Sequence, residues 1–100
     1  MEQSLVLTFD VGTQSARCLL VNESGDFEDK EQQKYKVPYL SKQPGWAEQT
    51  PDFYFNIIAE MSKKVIERNA DKLDRITAVC LTCIRDTVLC LDKDLSLIHI

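Results

Sequence analysis

This chain of 100 residues has few of the residue types that usually mark turns, linkers and metal sites, with three glycines, three prolines and one histidine. Because glycine and proline are scarce, no low-complexity linker divides the chain, and we expect one small domain or one part of a larger domain. No apolar run approaches the roughly 20 residues of a membrane-spanning helix, which argues against a membrane partner. The net charge is −4 and basic residues form no cluster, which argues against a nucleic-acid partner.

A secretory signal is also missing from the start of the sequence. Residues 1–4 lead directly into an apolar run, without the basic region, apolar core and small-residue cleavage site of such a signal. The N-terminus therefore favours a cytoplasmic protein.

The four cysteines form no arrangement typical of a disulfide framework or a complete metal site. Cys80-x-x-Cys83 has the spacing of half a zinc site, but no second cysteine pair follows and the only histidine is His99. Cys18, Cys80 and Cys90 lie in apolar runs, where a free cysteine packs as a small hydrophobic side chain. We therefore expect neither a zinc site nor a redox function.

The phosphate-binding loop Gly-x4-Gly-Lys-Ser/Thr is absent, so a nucleotide would need a different phosphate-binding architecture. The sequence does contain a polar break, Gly12-Thr-Gln-Ser15, between two apolar runs at residues 5–11 and 16–22. These runs predict two strands of an antiparallel hairpin, and the first, with few polar positions, is expected to be covered on both faces. Gly12 would supply a backbone conformation in the turn that a Cβ would obstruct.

Asp10, just before this break, is the distinctive residue, because a carboxylate at the end of an apolar strand is costly to bury without a compensating cation, metal ion or set of donors. A magnesium ion held through water would compensate it. Thr13, Gln14 and Ser15 could donate hydrogen bonds to phosphate oxygens. The alternative is a plain hairpin whose aspartate bonds its own turn, and these residues alone leave both interpretations open.

The rest of the sequence predicts a third strand, a helix and two further strands. In residues 32–37, polar residues alternate with Tyr35 and Val37, a pattern typical of an exposed edge strand. Thr50-Pro51-Asp52 is typical of a helix start. An apolar stripe at helical spacing, which predicts that this helix extends to about Asn69, consists of Tyr54, Ile57, Ile58, Met61 and Val65. Residues 73–82 and 87–92 predict the last two strands. Three strands before the first helix disfavour a Rossmann unit.

Three motifs in order along the chain resemble a single family: Asp10-Val-Gly-Thr with Arg17, Pro44-Gly-Trp-Ala-Glu-Gln-Thr-Pro51, and residues 76–82 leading into 84–92. The first resembles a phosphate motif of the superfamily that contains sugar kinases, actin and the heat-shock chaperone ATPases. Within it, the chain looks like the start of an FGGY carbohydrate kinase over most positions from 5 to 94. The resemblance implies an α/β, ribonuclease H-like (actin-like ATPase) fold, present in part as a three-stranded antiparallel β-meander, a helix and further strands.

The resemblance also implies a kinase that uses ATP and Mg²⁺. Asp10 would stand near the magnesium ion, contacting it through water, and near the transferring phosphoryl group. Thr13 and Gln14 would contact ATP phosphates, and Arg17 would steady the same site. The implied cofactor-binding residues are Asp10, Gly12, Thr13, Gln14, Ser15 and Arg17.

A sugar or polyol substrate is implied as well. Trp46 and Glu48 would lie on the sugar side of the domain, with a packed loop anchor as an equal alternative for Trp46. Arg85 and Asp86 fall where polyol-phosphorylating members carry a pair that hydrogen-bonds substrate hydroxyls, the alternative being an exposed salt bridge. Ile84 stands where the family usually has glutamine, which puts one polar sugar contact in doubt.

We expect residues 1–94 to form an incomplete N-terminal part of the first kinase domain, and residues 95–100, which resemble a translated sequencing adapter, to be a non-native tail. The general-base aspartate is expected beyond residue 100, so the chain alone should be inactive while its full-length parent is a kinase. A homodimer of the parent is compatible with the resemblance. The competing functions are a non-enzymatic ATPase-fold module, like actin or a chaperone, and a small independent binding domain.

Overall fold

The protein is described by a computed structural model that covers residues 2–82, 84 and 90–96. Its strands and its long helix are β1 (Leu5–Val11), β2 (Ser15–Asn22), β3 (Phe27–Lys34), α1 (Pro51–Arg68) and β4 (Ile76–Thr82). Within the described residues, the four strands form one mixed sheet in the order β3-β2-β1-β4, and α1 lies between β3 and β4 in the sequence. A 3-10 helix, Ala70–Arg75, connects α1 to β4.

The first three strands form the predicted antiparallel meander. β1 pairs with β2 and β2 pairs with β3, both antiparallel, whereas β4 pairs with β1 in parallel. The turn between β2 and β3 is closed by Asn22, whose Oδ1 accepts hydrogen bonds from the backbone N–H groups of Ser24 and Asp26, each at 3.0 Å. Gly25 in this turn has φ of 85°, a conformation that glycine adopts at little cost.

The helix begins where the sequence predicts and ends within one residue of the predicted end. Thr50 caps it, since its Oγ1 accepts a hydrogen bond from the Phe53 N–H at 3.3 Å, and Pro51 occupies the first turn. The predicted apolar stripe faces the sheet: Ile57, Met61 and Val65 are buried, and Tyr54 and Ile58 pack against the same core. Among the described residues, no helix is long and apolar enough to cross a membrane.

The core lies between α1 and one face of the sheet. Leu5, Leu7 and Phe9 of β1 are buried on this face, while the alternating residues Val6 and Thr8 point to the other face and are half-buried. We expected both faces of β1 to be covered. Within residues 2–82, the helix covers only one of them. The outer strand β4 is open, with Val79 65% and Leu81 55% exposed.

The predicted position of the third strand is wrong. The structure places β3 at Phe27–Lys34 instead of residues 32–37, and Val37 is exposed. The fourth strand also begins at Ile76 rather than at residue 73. The predicted fifth strand, 87–92, falls largely outside the described residues and stays a prediction.

Charge pairing with the end of α1 and with the 3-10 helix that follows it explains why such a polar segment forms β3. The Arg68 guanidinium donates to Asp29 at 3.0 Å and to Glu31 at 2.5 Å, and Arg75 donates to Glu28 at 3.2 Å. The guanidinium of Arg68 lowers the pKa of Asp29, which keeps that carboxylate charged. A pattern of apolar residues cannot reveal a strand that is stabilised in this way.

The expectation that the cysteines pack as small hydrophobic side chains is correct for Cys18 and wrong for Cys80. Cys18 on β2 is fully buried in the core, and this burial raises the pKa of its thiol to about 11. Cys80 on β4 is exposed, because it lies opposite Thr8 on the face of the sheet that points away from α1.

Candidate functional site

Three polar side chains from three adjacent strands meet at one end of the sheet. Asp10 near the end of β1 lies opposite Arg17 of β2 and opposite Thr82 of β4. Because successive strand residues point to opposite faces and Phe9 faces the helix, Asp10 points away from the helix. We call Asp10, Arg17 and Thr82 the Asp10 cluster.

Hydrogen bonds connect the members of the Asp10 cluster directly. Arg17 Nη2 donates to Asp10 Oδ2 at 2.5 Å. The Thr82 hydroxyl lies 3.2 Å from Asp10 Oδ1 and 3.1 Å from the Phe9 carbonyl oxygen, so it can donate to either. The side chains of Asp10 and Arg17 remain 47% and 52% exposed, so a ligand can reach both.

The charge of Asp10 is set by these partners. The Arg17 guanidinium is the main cause of a lowered pKa at Asp10, burial opposes it, and the Thr82 hydroxyl lowers the pKa further. Asp10 is therefore an anion at neutral pH. A carboxylate offers about four lone-pair positions, so two hydrogen bonds leave room for a donor such as a metal-bound water.

The turn between β1 and β2, which we call the Gly12 turn (residues 12–15), adjoins the Asp10 cluster. The Gly12 N–H donates to the Ser15 carbonyl at 2.9 Å, and a Cβ on Gly12 would lie only 3.0 Å from that oxygen. The turn thus lacks space for a side chain at Gly12, although the backbone there is not left-handed as it is at Gly25 and Gly45. Thr13 and Gln14 at the tip are exposed.

The parallel pairing of β1 and β4 determines where this site lies. The carboxyl ends of the two strands meet at the same edge of the sheet, which brings Thr82 beside the end of β1 and the Gly12 turn. The carboxyl edge of parallel strands is where open α/β sheets usually bind ligands. The arrangement can hold an anion at the turn and a cation at Asp10.

Tyr35, which follows β3, contacts the Gly12 turn and is buried, with 8% of its surface exposed. Its hydroxyl donates to the Gly12 carbonyl and its backbone N–H to the Gln14 carbonyl, each at 2.9 Å. Its ring packs edge-to-face on Phe53 and Tyr54 of α1, with centroids 5.0 and 6.3 Å away. From the sequence we predicted that Tyr35 lies in an exposed edge strand, so its burial and its contact with the Gly12 turn were not predicted.

The predicted substrate residues lie elsewhere in the chain or outside its described part. Trp46 and Glu48 belong to the loop before α1, where the backbones of Leu40 and Glu48 pair through hydrogen bonds of 2.6 and 2.9 Å. Trp46 is 40% exposed. Arg85 and Asp86 lie outside the described residues, so the structure assembles the predicted cofactor residues but gives no geometry for this pair.

Sequence comparison identifies the family. Residues 5–99 match the N-terminal domain of the FGGY family of carbohydrate kinases. The chain belongs to this family. Within the FGGY family, it is 31% identical over 96 residues to a glycerol kinase of Pseudothermotoga lettingae and 33% identical over 89 residues to glycerol kinase 2 of Thermotoga maritima. These alignments cover 96% and 89% of the chain but only 19% and 18% of the two relatives.

Solved structures give the same fold for this FGGY domain. The chain superposes on gluconate kinase from Lactobacillus acidophilus with a TM-score of 0.78 at 20% identity, covering 98% of the chain and 19% of that protein. Ligand-bound xylulose kinase from the same organism gives a TM-score of 0.78 at 21% identity, with coverage of 96% and 19%. The four-stranded mixed sheet with its helix is therefore part of the actin-like ATPase fold of sugar kinases.

Proposed function

We propose that the full-length protein containing this chain transfers the γ-phosphate of ATP to a hydroxyl group of a sugar or polyol. The chain would supply part of the site for the ATP phosphates and magnesium. The observation that supports this most is the Asp10 cluster beside the Gly12 turn, at the carboxyl edge of β1 and β4. In a member of the FGGY family, this arrangement would provide both the donors and the anion that Mg-ATP requires.

The Gly12 turn would bind phosphate oxygens. Thr13 and Gln14 are exposed and carry a hydroxyl and an amide, and the absence of a side chain at Gly12 keeps the turn tight. Ser15 adds a hydroxyl at the start of β2. In-line phosphoryl transfer depends on positioning and on stabilising charge at the γ-phosphate, and several donors in one short turn suit both requirements.

Asp10 would hold a hydrated magnesium ion. Mg²⁺ usually keeps several waters and binds through one or two carboxylates plus substrate phosphates, and a single half-exposed carboxylate beside an anion-binding turn fits that pattern. When bound, the ion would neutralise the charge of the phosphates. Arg17 would keep the Asp10 carboxylate oriented and ionised.

The acceptor would bind on the other side of the site. We infer that Trp46, Glu48, Arg85 and Asp86 contribute to it, with Glu48 and Asp86 accepting hydrogen bonds from hydroxyl groups. The glycerol, gluconate and xylulose kinases that the chain resembles suggest a small polyhydroxylated acceptor. The general base would lie in the part of the protein beyond residue 100, so we expect no turnover by the 100 residues alone. We also infer a cytoplasmic location and allow for a homodimer of the full-length protein.

The test is acceptor-dependent ADP release by the purified full-length protein. Mg-ATP is supplied with glycerol, gluconate or xylulose in turn, and reactions without acceptor and with excess EDTA serve as controls. We expect one acceptor to raise ADP release well above the acceptor-free rate, and EDTA to abolish it. A rate that no acceptor changes would instead favour the actin-like or chaperone-like alternative.

A further inference from the structure

Tyr35, to which the sequence motifs assign no role, donates two hydrogen bonds to the Gly12 turn. We propose that Tyr35 is a positioning residue that fixes the Gly12 turn in the shape that binds ATP phosphates. This inference rests on the proposed function. Tyr35 would orient the phosphate-binding turn and would not itself touch ATP.

Two hydrogen bonds from Tyr35 restrain a turn of four residues. Its hydroxyl donates to the Gly12 carbonyl and its N–H to the Gln14 carbonyl, both at 2.9 Å. Because the peptide bond is planar and trans, the Thr13 N–H points away from the Gly12 carbonyl within the same peptide unit. When Tyr35 binds that carbonyl, the Thr13 N–H is therefore directed away from the Tyr35 hydroxyl. Within the described part of the chain, the N–H groups of Thr13 and Gln14 make no hydrogen bond, so they remain available to an anion.

The ring of Tyr35 is itself fixed by its surroundings. Only 8% of the residue is exposed, and the ring packs edge-to-face on Phe53 and on Tyr54. A buried ring packed against two other aromatic rings has little rotational freedom, so its hydroxyl stays directed at Gly12. Burial also raises the pKa of Tyr35 to about 12, which keeps the hydroxyl protonated as a donor at neutral pH.

The experiment compares Tyr35→Phe with Tyr54→Phe in the full-length protein. Tyr35→Phe keeps the ring and removes the hydrogen bond to Gly12. Tyr54→Phe removes a hydroxyl from the same aromatic cluster, but one that makes no hydrogen bond to a described residue, and is therefore the matched control.

The first readout is amide hydrogen exchange at the turn. A hydrogen bond of typical net strength corresponds to about a five-fold change in an opening equilibrium. We expect the Gly12 N–H and the N–H of residue 35 to exchange about five-fold faster in Tyr35→Phe and at the unchanged rate in Tyr54→Phe. Equal exchange in the two variants would overturn the inference, whether or not the protein is a kinase.

The second readout is the dependence of turnover on each substrate. We expect Tyr35→Phe to lower kcat/KM for ATP by about five-fold and to leave the KM for the acceptor unchanged, while Tyr54→Phe changes neither. A turn that exchanges faster without any change in the ATP parameters would also overturn the inference. If the wild-type protein phosphorylates no acceptor, the proposed function fails, and the exchange readout alone decides whether Tyr35 holds the turn.

Discussion

Replacing Asp10 with asparagine should affect activity far more than stability. The substitution keeps the shape of the side chain and removes its charge, so the ion pair with Arg17 is lost while a hydrogen bond from Thr82 can persist. In the proposed site, the same charge holds the hydrated magnesium ion. Stability and activity therefore report on two different roles of one carboxylate.

The stability cost follows from the exposure of the pair. Asp10 and Arg17 are 47% and 52% exposed, and such surface ion pairs contribute about 0.2–1 kcal/mol. The Asp10 pKa in the folded protein lies below its ordinary value of 3.8, so this contribution is complete above that pH and is lost as the pH falls through the lowered pKa. At pH 7 we expect Asp10→Asn to lose at most about 1 kcal/mol of unfolding free energy.

The activity cost should be much larger. Removing one group that stabilises developing charge typically lowers kcat by roughly 10²–10³-fold, and we expect a loss of this order for Asp10→Asn in the full-length protein. Urea unfolding and acceptor-dependent ADP release measure the two effects. The control is Asp71→Asn, the same change at an exposed carboxylate of the 3-10 helix, which should alter neither. An Asp10→Asn variant that keeps more than a tenth of the wild-type kcat would refute the assignment of Asp10.

Two other substitutions test the site and the core. Thr82→Val keeps the shape of the side chain but removes the hydroxyl beside Asp10, so we expect kcat to fall by less than in Asp10→Asn; an equal or larger loss would contradict a supporting role. Met61→Ala empties a fully buried position on the core-facing side of α1 and should cost about 2–5 kcal/mol in urea unfolding, whereas Lys63→Ala on the exposed side of the helix should cost little. A loss at Met61 below about 1 kcal/mol would contradict the packing described for α1.

The local pattern of the sequence was enough to predict the β1–β2 hairpin and the helix. β1 has the predicted ends, and α1 begins at Pro51 because Thr50 and Pro51 form a helix start that needs no distant partner. The pairing of Asp10 with Arg17 also follows from a tight hairpin, since the turn length fixes which residues lie opposite each other.

The features that were missed depend on contacts between residues that are distant in the sequence. Thr82 joins Asp10 only because β4 pairs in parallel with β1, and no local pattern specifies the register of that pairing. β3 depends on charged partners at the far end of α1, including Arg68. Tyr35 is buried because Phe53 and Tyr54 pack around it, although its neighbours in the sequence are charged.

The most direct test of the proposed kinase function is mass spectrometry of the acceptor after incubation with Mg-ATP and the full-length protein. A carbohydrate kinase produces a phosphate monoester of one acceptor in the same molar amount as the ADP released, and none when magnesium is chelated. We predict this product for at least one of glycerol, gluconate and xylulose. ADP release with no phosphorylated acceptor in a wider panel of sugars and polyols would contradict the account.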